Sequence, residues 1–155
     1  MLKRILLPSL AAALSMAGLF LSWDANGWTY LDLLSLLLVP VAGTVYVFLM
    51  HGWRPGLRAW TAPLDPAADA AGLRSADAYW KAQAASWLWF ALGGGLVSLI
   101  DMFKNLADKT QIGPRLAVCV ISPLYAALLM LLLALPYRSL IRRRLAGAEA
   151  PGTEA

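Results

Sequence analysis

Charged residues are scarce in this chain. Asp, Glu, Lys and Arg make up only 14% of its 155 residues, whereas 60% of the residues are hydrophobic. A soluble domain carries about a quarter charged residues, because its whole surface faces water. The composition therefore excludes an ordinary soluble domain and indicates a protein whose surface mostly faces lipid.

The chain also has a single cysteine, Cys119, and a single histidine, His51. One cysteine cannot form a disulfide within the chain, and a buried free cysteine behaves as a small hydrophobic residue. Because Cys119 and His51 belong to different apolar stretches, they make neither a nucleophilic pair nor a metal site. The sequence contains no zinc motif, phosphate-binding loop or nucleophile elbow. It predicts no enzyme activity, no metal and no cofactor.

Four apolar stretches dominate the sequence. They lie at about 5–22, 30–50, 84–102 and 116–137. Each is close to the roughly 20 residues that a helix needs to cross about 30 Å of hydrocarbon, where a helix pairs every backbone N–H and C=O within itself. The sequence predicts an all-α integral membrane protein with four transmembrane helices, a membrane domain over 1–145 and a disordered tail at 146–155.

The first stretch has two readings. Lys3 and Arg4 followed by an apolar run are typical of a signal peptide. The segment Ser22-Trp23-Asp24 is a poor cleavage site, however, and the stretch is long enough to be a retained helix. Retention is the favoured reading, and cleavage of residues 1–22 stays open.

The connections between the stretches differ in kind. Two are short, whereas 51–83, about 33 residues long, separates the second stretch from the third. The first half of this loop is rich in proline and is predicted to be irregular. The second half, Ala67 to Gln83, is rich in alanine and is predicted to form a surface helix that runs into the third span.

The basic residues flank the apolar stretches and do not form one face, so the net charge of +4 does not indicate a nucleic-acid partner. Lys104, Lys109 and Arg115 lie on one side of the predicted spans, and the other ten of the 13 Lys and Arg residues lie on the opposite side. The positive-inside rule places both termini and the long loop in the cytoplasm. We expect a multi-pass protein of the bacterial inner membrane. Arg142, Arg143 and Arg144 either lie against anionic lipid headgroups or serve only as a topology signal.

No Asp, Glu, Lys or Arg lies in the middle of a predicted span. The chain therefore offers no obvious proton-carrying carboxylate of its own. Small residues and prolines within the spans are predicted to be helix-packing or kink positions. These are Gly43, Thr44, Gly93, Gly94, Gly95, Pro123 and Pro136. The polar side chains of Ser98, Ser122 and Tyr125 are predicted to line a seam against a partner helix.

Two segments, 30–45 and 94–136, carry small and polar residues in a fixed order between apolar runs. In the first segment these residues are Asp32, Ser35, Gly43 and Thr44. In the second segment the pattern also includes apolar residues, and its positions are Leu106, Ile112, Gly113, Ala117, Tyr125 and Pro136. Together the two segments cover roughly 60 residues, and they resemble MotA-like members of the MotA/TolQ/ExbB proton-channel superfamily.

The resemblance implies a homo-oligomer, a pentamer, around two copies of a single-span MotB/ExbD-like partner whose membrane helix bears a protonatable Asp. The implied function is that of a subunit of a stator-type proton channel, which couples ion flow to work through that partner. A proton would pass between the third and fourth helices and the partner, along Ser98, Ser122 and Tyr125.

Two departures from the family keep other readings open. The short loop replaces the large cytoplasmic domain that the family carries between the second and third helices, and Gly94-Gly95 stands where the family has Gly-Thr. Both departures favour an alternative, a non-conducting membrane scaffold or assembly protein that keeps the MotA-like helical core. An unrelated small transporter or membrane-anchored enzyme factor is the third reading. An internal repeat would support a transporter, and we find no convincing similarity between the two halves.

Overall fold

The computed structural model describes residues 33–149, and within that range the chain is helical with no β-strand. The prediction of an all-α protein is confirmed for this part. The first predicted span, its two readings and Asp32 lie outside the described residues, as do residues 150–155 of the predicted tail.

The first described helix, α1, consists of Leu33–Leu36, a π-helical turn Leu37–Ala42 and Gly43–His51. The wider turn contains Pro40, which has no backbone N–H to complete the regular hydrogen-bond pattern. Gly52 follows with a φ of 83°, a conformation that glycine adopts without steric cost. The chain bends there by 112° between Leu37–His51 and the next helix, α2, Trp53–Thr61.

Helix α2 lies in the proline-rich half of the loop that was predicted to be irregular. That prediction is wrong for Trp53–Thr61. Pro55 is in the first turn of α2, where backbone N–H groups have no partner within the helix and proline is tolerated.

Helix α3, Ala70–Lys104, runs through the predicted surface segment and the third apolar stretch as one helix of 35 residues. Asp69 caps it by accepting a hydrogen bond from the backbone N–H of Gly72 at 2.9 Å. The first half of α3 is not simply a surface helix, since Leu73, Ala76 and Trp80 are buried.

Helix α4 consists of Lys109–Leu129, a π-helical turn Met130–Ala134 and Leu135–Glu149. Only a four-residue turn, 105–108, separates it from α3, and Asp108 caps it by accepting from the backbone N–H of Thr110 at 3.0 Å. The helix continues through Pro123 and extends to Glu149. Residues 146–149 are therefore helical, although they were predicted to belong to a disordered tail.

Two of the described helices are long and apolar enough to cross a membrane, α3 and Lys109–Ala148. The bent pair Leu37–His51 and Trp53–Thr61 would add a third if it is counted as one span. These helices support the prediction of a membrane protein with transmembrane helices.

An aromatic cluster joins α2, α3 and α4 at one end of the bundle. The rings of Trp80 and Tyr137 lie 4.5 Å apart between centroids, and those of Trp60 and Trp80 lie 4.7 Å apart. The indole N–H of Trp80 donates to the backbone carbonyl of Ala59 at 3.0 Å. This cluster holds the loop 51–83 against the second half of α4.

Arginines of α4 complete this junction. Arg138 donates to the carboxylate of Asp77 on α3 at 3.1 Å. Arg144 donates to four backbone carbonyls of the turn between α2 and α3, at Ala62, Pro63, Asp65 and Pro66. Its guanidinium satisfies carbonyls that have no helical partner, so the prediction that Arg144 faces lipid headgroups is replaced by a contact within the chain.

Candidate functional site: the groove between α3 and α4 and the buried polar contacts beside it

Helices α3 and α4 approach closely at Gly95. A Cβ atom there would lie 3.3 Å from the backbone carbonyl oxygen of Cys119, so glycine permits the close approach. Pro123 has no N–H to donate to that carbonyl, which is one helical turn earlier. The Cys119 thiol donates to the Gly95 carbonyl at 3.2 Å. The predicted packing role of Gly95 and the small-residue role of Cys119 both fit this contact.

Ser98 lies one turn further along α3, and its hydroxyl donates to the backbone carbonyl of Arg115 at 2.8 Å. The Arg115 side chain pairs with the carboxylate of Asp101. Asn105 donates to the Asp101 carbonyl at 2.9 Å. The end of the α3–α4 pair near the turn 105–108 is therefore polar. Its acidic residue, Asp101, lies on α3, and its basic residue, Arg115, lies on α4.

A groove of about 890 Å³ opens between these helices. Leu38 of α1 and the α3 residues Phe90 and Val97 form part of its apolar wall, and Ser98 lies near its polar end with Asp101 and Arg115. Gly93 also lines it and has no atom within 4 Å of an added Cβ position. Gly93 is thus not a contact position between the described helices, but it leaves the groove wall open.

Ser122 and Tyr125 do not line that groove, although the Ser122 hydroxyl oxygen lies 3.7 Å from an added Cβ position at the groove residue Gly94. The hydroxyls of Ser122 and Ser35 are 2.8 Å apart, and each residue is only 1% exposed. Tyr125 is partly buried against the hydrophobic core. The structure therefore brings Ser122 to α1 and leaves Ser98 on the groove. The joint role of Ser98, Ser122 and Tyr125 in a proton path stays a prediction.

The remaining predicted packing positions divide by their neighbours. A Cβ atom at Gly43 would lie 2.9 Å from Cδ1 of Trp87, and one at Gly94 would meet the Leu38 side chain. Pro136 is buried just after the second π-helical turn, and its carbonyl accepts from the Ser139 hydroxyl at 2.9 Å.

Thr44 joins α1 to α3 through its hydroxyl. The oxygen accepts from the side-chain amide of Gln83 at 3.2 Å and from the indole N–H of Trp87 at 3.1 Å. The hydroxyl itself donates to the carbonyl of Pro40. Beside it, the Ser86 hydroxyl donates to the Gly43 carbonyl at 2.8 Å. Thr44 is therefore a hydrogen-bonding centre between α1 and α3, and the packing role predicted for it stays a prediction.

Sequence reasoning missed Gln83 as part of this contact. Gln83 is fully buried, and its Oε1 atom has no hydrogen-bond partner. The available signal was the spacing of Gln83, Ser86 and Trp87, which places three side chains with polar atoms on one face of a helix. A buried amide oxygen without a partner is costly, so this position is less stable than its dense packing suggests.

Acidic and metal-ligating side chains do not gather in this part of the molecule. Within residues 33–149 there is no group of three His, Cys, Asp or Glu residues that could hold a metal ion. The polar atoms of the candidate site are hydroxyls, amides and backbone carbonyls, together with the Asp101–Arg115 pair. Such groups can bind water, orient a neighbouring helix or stabilise a passing proton.

The long apolar helices and their close packing at small residues define the class, a helical membrane protein. Comparison with known proteins then gives a partial similarity to Motility protein A of Aquifex aeolicus (strain VF5). The two are 35% identical over 66 residues, which are 43% of this chain and 26% of that protein. The chain thus matches about a quarter of the length of that curated relative. No family model matches the chain.

Proposed function

We propose that the chain is a MotA-like subunit of a stator-type proton channel in the bacterial inner membrane. In this proposal it couples ion flow to work through a partner subunit. The observation that carries the proposal is the similarity to Motility protein A over 66 residues. The close packing of α3 and α4 at Gly95 supports a shared helical core.

The groove between α3 and α4 supports a partner helix in this complex. Its wall is largely apolar and includes the open position of Gly93, where a helix backbone can approach closely. No carboxylate lies mid-span in the sequence, so the proposal assigns the proton-carrying Asp to a single-span partner. A pentamer of this chain around two such partners is the assembly that we propose.

In the proposed path Ser98 is the first of the three side chains that a proton would meet, because it lies on the groove wall near the Asp101–Arg115 pair. Its hydroxyl would hold water or a proton carrier beside the partner helix. Ser122 and Tyr125 would contribute only if the contact between α1 and α4 opens, since Ser122 is buried against Ser35.

The proposed topology has four spans with both termini in the cytoplasm. The packing of Arg138 on Asp77 and of Arg144 on the turn 62–66 supports it, because it gathers the basic residues of the loop and of α4 at one end. The positive-inside rule assigns that end to the cytoplasm.

The first test is the subunit count of the detergent-purified chain by native mass spectrometry, alone and co-expressed with its neighbouring genes. The proposal expects five copies, with two copies of a single-span protein in the co-expressed sample. A monomer or dimer without such a partner contradicts it.

The second test is proton flux into liposomes that contain the purified complex. Ser98→Ala is expected to lower the flux several-fold, whereas Ser139→Ala, at the opposite end of the helix pair, leaves it unchanged. Equal flux from wild type and Ser98→Ala would remove Ser98 from the path.

The alternative is a non-conducting membrane scaffold or assembly protein with the same helical core. The observation that favours it is the bond between Ser35 and Ser122, which uses a membrane-depth hydroxyl within the subunit. A complex of five copies that binds the partner but conducts no protons in the flux assay would favour this alternative over the channel.

A further inference from the structure

Within residues 33–149, helix α2 has one face bound to the other helices and one face that none of them covers. On the bound face a Cβ at Gly56 would meet the ring of Phe48, and the carbonyl of Ala59 accepts from Trp80. The indole N–H of Trp60 donates to the Tyr79 hydroxyl at 3.3 Å. These contacts fix the orientation of α2 on α1 and α3.

The free face of α2 carries two neighbouring stripes. Trp53 and Leu57, one helical turn apart, are 68% and 48% exposed. Arg54 and Arg58 are also one turn apart and exposed. Because each basic residue directly follows an apolar one, the apolar stripe and the basic stripe lie side by side on the helix surface.

The angle between α1 and α2 indicates how α2 is oriented relative to the membrane. The apolar helix α1 ends at His51, and the chain bends by 112° at Gly52. With α1 crossing the bilayer, α2 lies nearly parallel to the membrane surface and leans slightly back toward it. The ring of Trp53 packs 5.0 Å from that of Phe48 near the end of α1, so the apolar stripe begins at the membrane boundary.

We propose that α2 is an interfacial helix that binds anionic phospholipid. Trp53 and Leu57 enter the boundary between headgroups and acyl chains, where tryptophan is enriched and amphipathic helices lie in the membrane plane. Arg54 and Arg58 bind the phosphate groups of the same leaflet, because basic residues close to an anionic surface are attracted to it. The lipid site holds whether the chain conducts protons or serves as a scaffold.

Contacts within the chain fix the C-terminal end of α2 as well as its N-terminal end. Arg144 donates to the carbonyls of the turn that follows α2, with a distance of 2.7 Å to that of Asp65. Arg144 is thereby engaged within the chain, whereas Arg54 and Arg58 extend from α2 on its exposed side. The basic groups available for lipid at this end therefore include the α2 pair, which the sequence analysis had not assigned to headgroups.

Depth in the bilayer is the first test. The full chain with Cys119→Ser is reconstituted in nanodiscs that contain phosphatidylglycerol, and spin labels are attached at Leu57→Cys or, as the control, at exposed Ser75→Cys on α3. We expect the label at position 57 to be relaxed by oxygen and shielded from a water-soluble nickel complex, and the label at position 75 to show the reverse. Equal access of the nickel complex to both positions overturns the proposal.

Lipid selectivity is the second test. The double variant Arg54→Gln/Arg58→Gln is compared with Lys81→Gln/Lys109→Gln, which removes the same charge from exposed positions outside α2. Bound phosphatidylglycerol is counted by native mass spectrometry, and both thermal unfolding midpoints are measured to show that the variants fold. The α2 variant is expected to bind phosphatidylglycerol more weakly by about fivefold for each charge removed.

Two results would contradict the lipid site. Equal loss of phosphatidylglycerol from both double variants would show diffuse charge attraction and not binding at α2. Shielding of position 57 that appears only after a protein partner is added, and not in lipid alone, would assign the free face of α2 to that partner.

Discussion

The two halves of α3 are packed in contrasting ways. From Leu73 to Ala91 the helix buries at least one residue in every turn, including Trp80 and Trp87. Beyond Ala91 only Gly95 is buried among the described positions of the helix. Large apolar side chains such as Val97 and Phe103 are exposed there.

The first half of α3 therefore contributes mainly to stability, whereas the surface of the second half is available for binding. The first half contacts α1, α2 and α4, and the indole N–H groups of Trp80 and Trp87 both have acceptors there, so this half holds the fold. The second half contacts α4 through glycine and offers its remaining surface to lipid or to another helix. A helix face that is apolar, exposed and lined by small residues is typical of association within a membrane.

The largest expected effect is the loss of a ring from the first half. Trp80→Ala removes a fully buried side chain and leaves the Ala59 carbonyl without its donor. We expect a loss of about 3–5 kcal/mol in the free energy of unfolding, measured by denaturant titration in detergent. Phe103→Ala is the control from the second half, since Phe103 is 59% exposed. Similar losses from the two variants would show that the halves do not differ.

A smaller effect is expected at the Thr44 hydroxyl. Thr44→Val leaves the N–H groups of Gln83 and Trp87 without their acceptor, and we expect a loss of about 2–4 kcal/mol from two unsatisfied donors. Gln83→Leu is the comparison, because it also removes the unpartnered Oε1 atom. Its unfolding free energy should stay within about 1 kcal/mol of wild type. A large loss from Gln83→Leu would indicate that Oε1 has a partner in the membrane.

The glycines of the second half sharpen the comparison further. Gly95→Ala forces a methyl group against the Cys119 carbonyl, so we expect a loss of about 1–3 kcal/mol. Gly93→Ala meets nothing within 4 Å and should gain up to about 1 kcal/mol from helix propensity. Thermal unfolding of the two purified variants measures the difference. A stabilising Gly95→Ala would show that α3 and α4 are further apart than the structure places them.

The smallest effects are expected from the two ion pairs. Asp77→Asn weakens the contact with Arg138 at the crowded end, and Asp101→Asn weakens that with Arg115 at the open end. Each loss should be no more than about 1 kcal/mol, and the effect of Asp101→Asn should be the smaller because its side chain is 46% exposed. The unfolding midpoints of the two variants at low and high salt measure these losses. A larger loss from Asp101→Asn than from Asp77→Asn would contradict the packing difference between the two ends.

The long apolar helices were predictable from the sequence, because residues that cross a bilayer must be apolar over a fixed length. Helix α2 was not, since Pro55 and Gly56 indicate irregular structure when they are read alone. What decides its structure is tertiary contact, with Gly56 against Phe48 and Ala59 bonded to Trp80. Such contacts override local propensity and leave no local pattern to read.

The candidate site was predictable in its small residues and less so in its polar ones. Gly95 was identified from the Gly93-Gly94-Gly95 run, because close helix packing requires small side chains. The bond between Ser35 and Ser122 depends on the relative position of two helices 87 residues apart in sequence. Periodicity within one helix cannot supply that register, so Ser122 was predicted to face a partner instead of α1.

The length of α4 has a mechanical consequence. Lys109–Ala148 comprises 40 residues, about 60 Å of helix at 1.5 Å per residue, whereas the hydrocarbon of a bilayer is about 30 Å thick. In a bilayer roughly half of the rod would project beyond the hydrocarbon, and aromatic rings and arginines brace it against α3 at that end. A tilt of the half within the bilayer would therefore move the projecting half sideways.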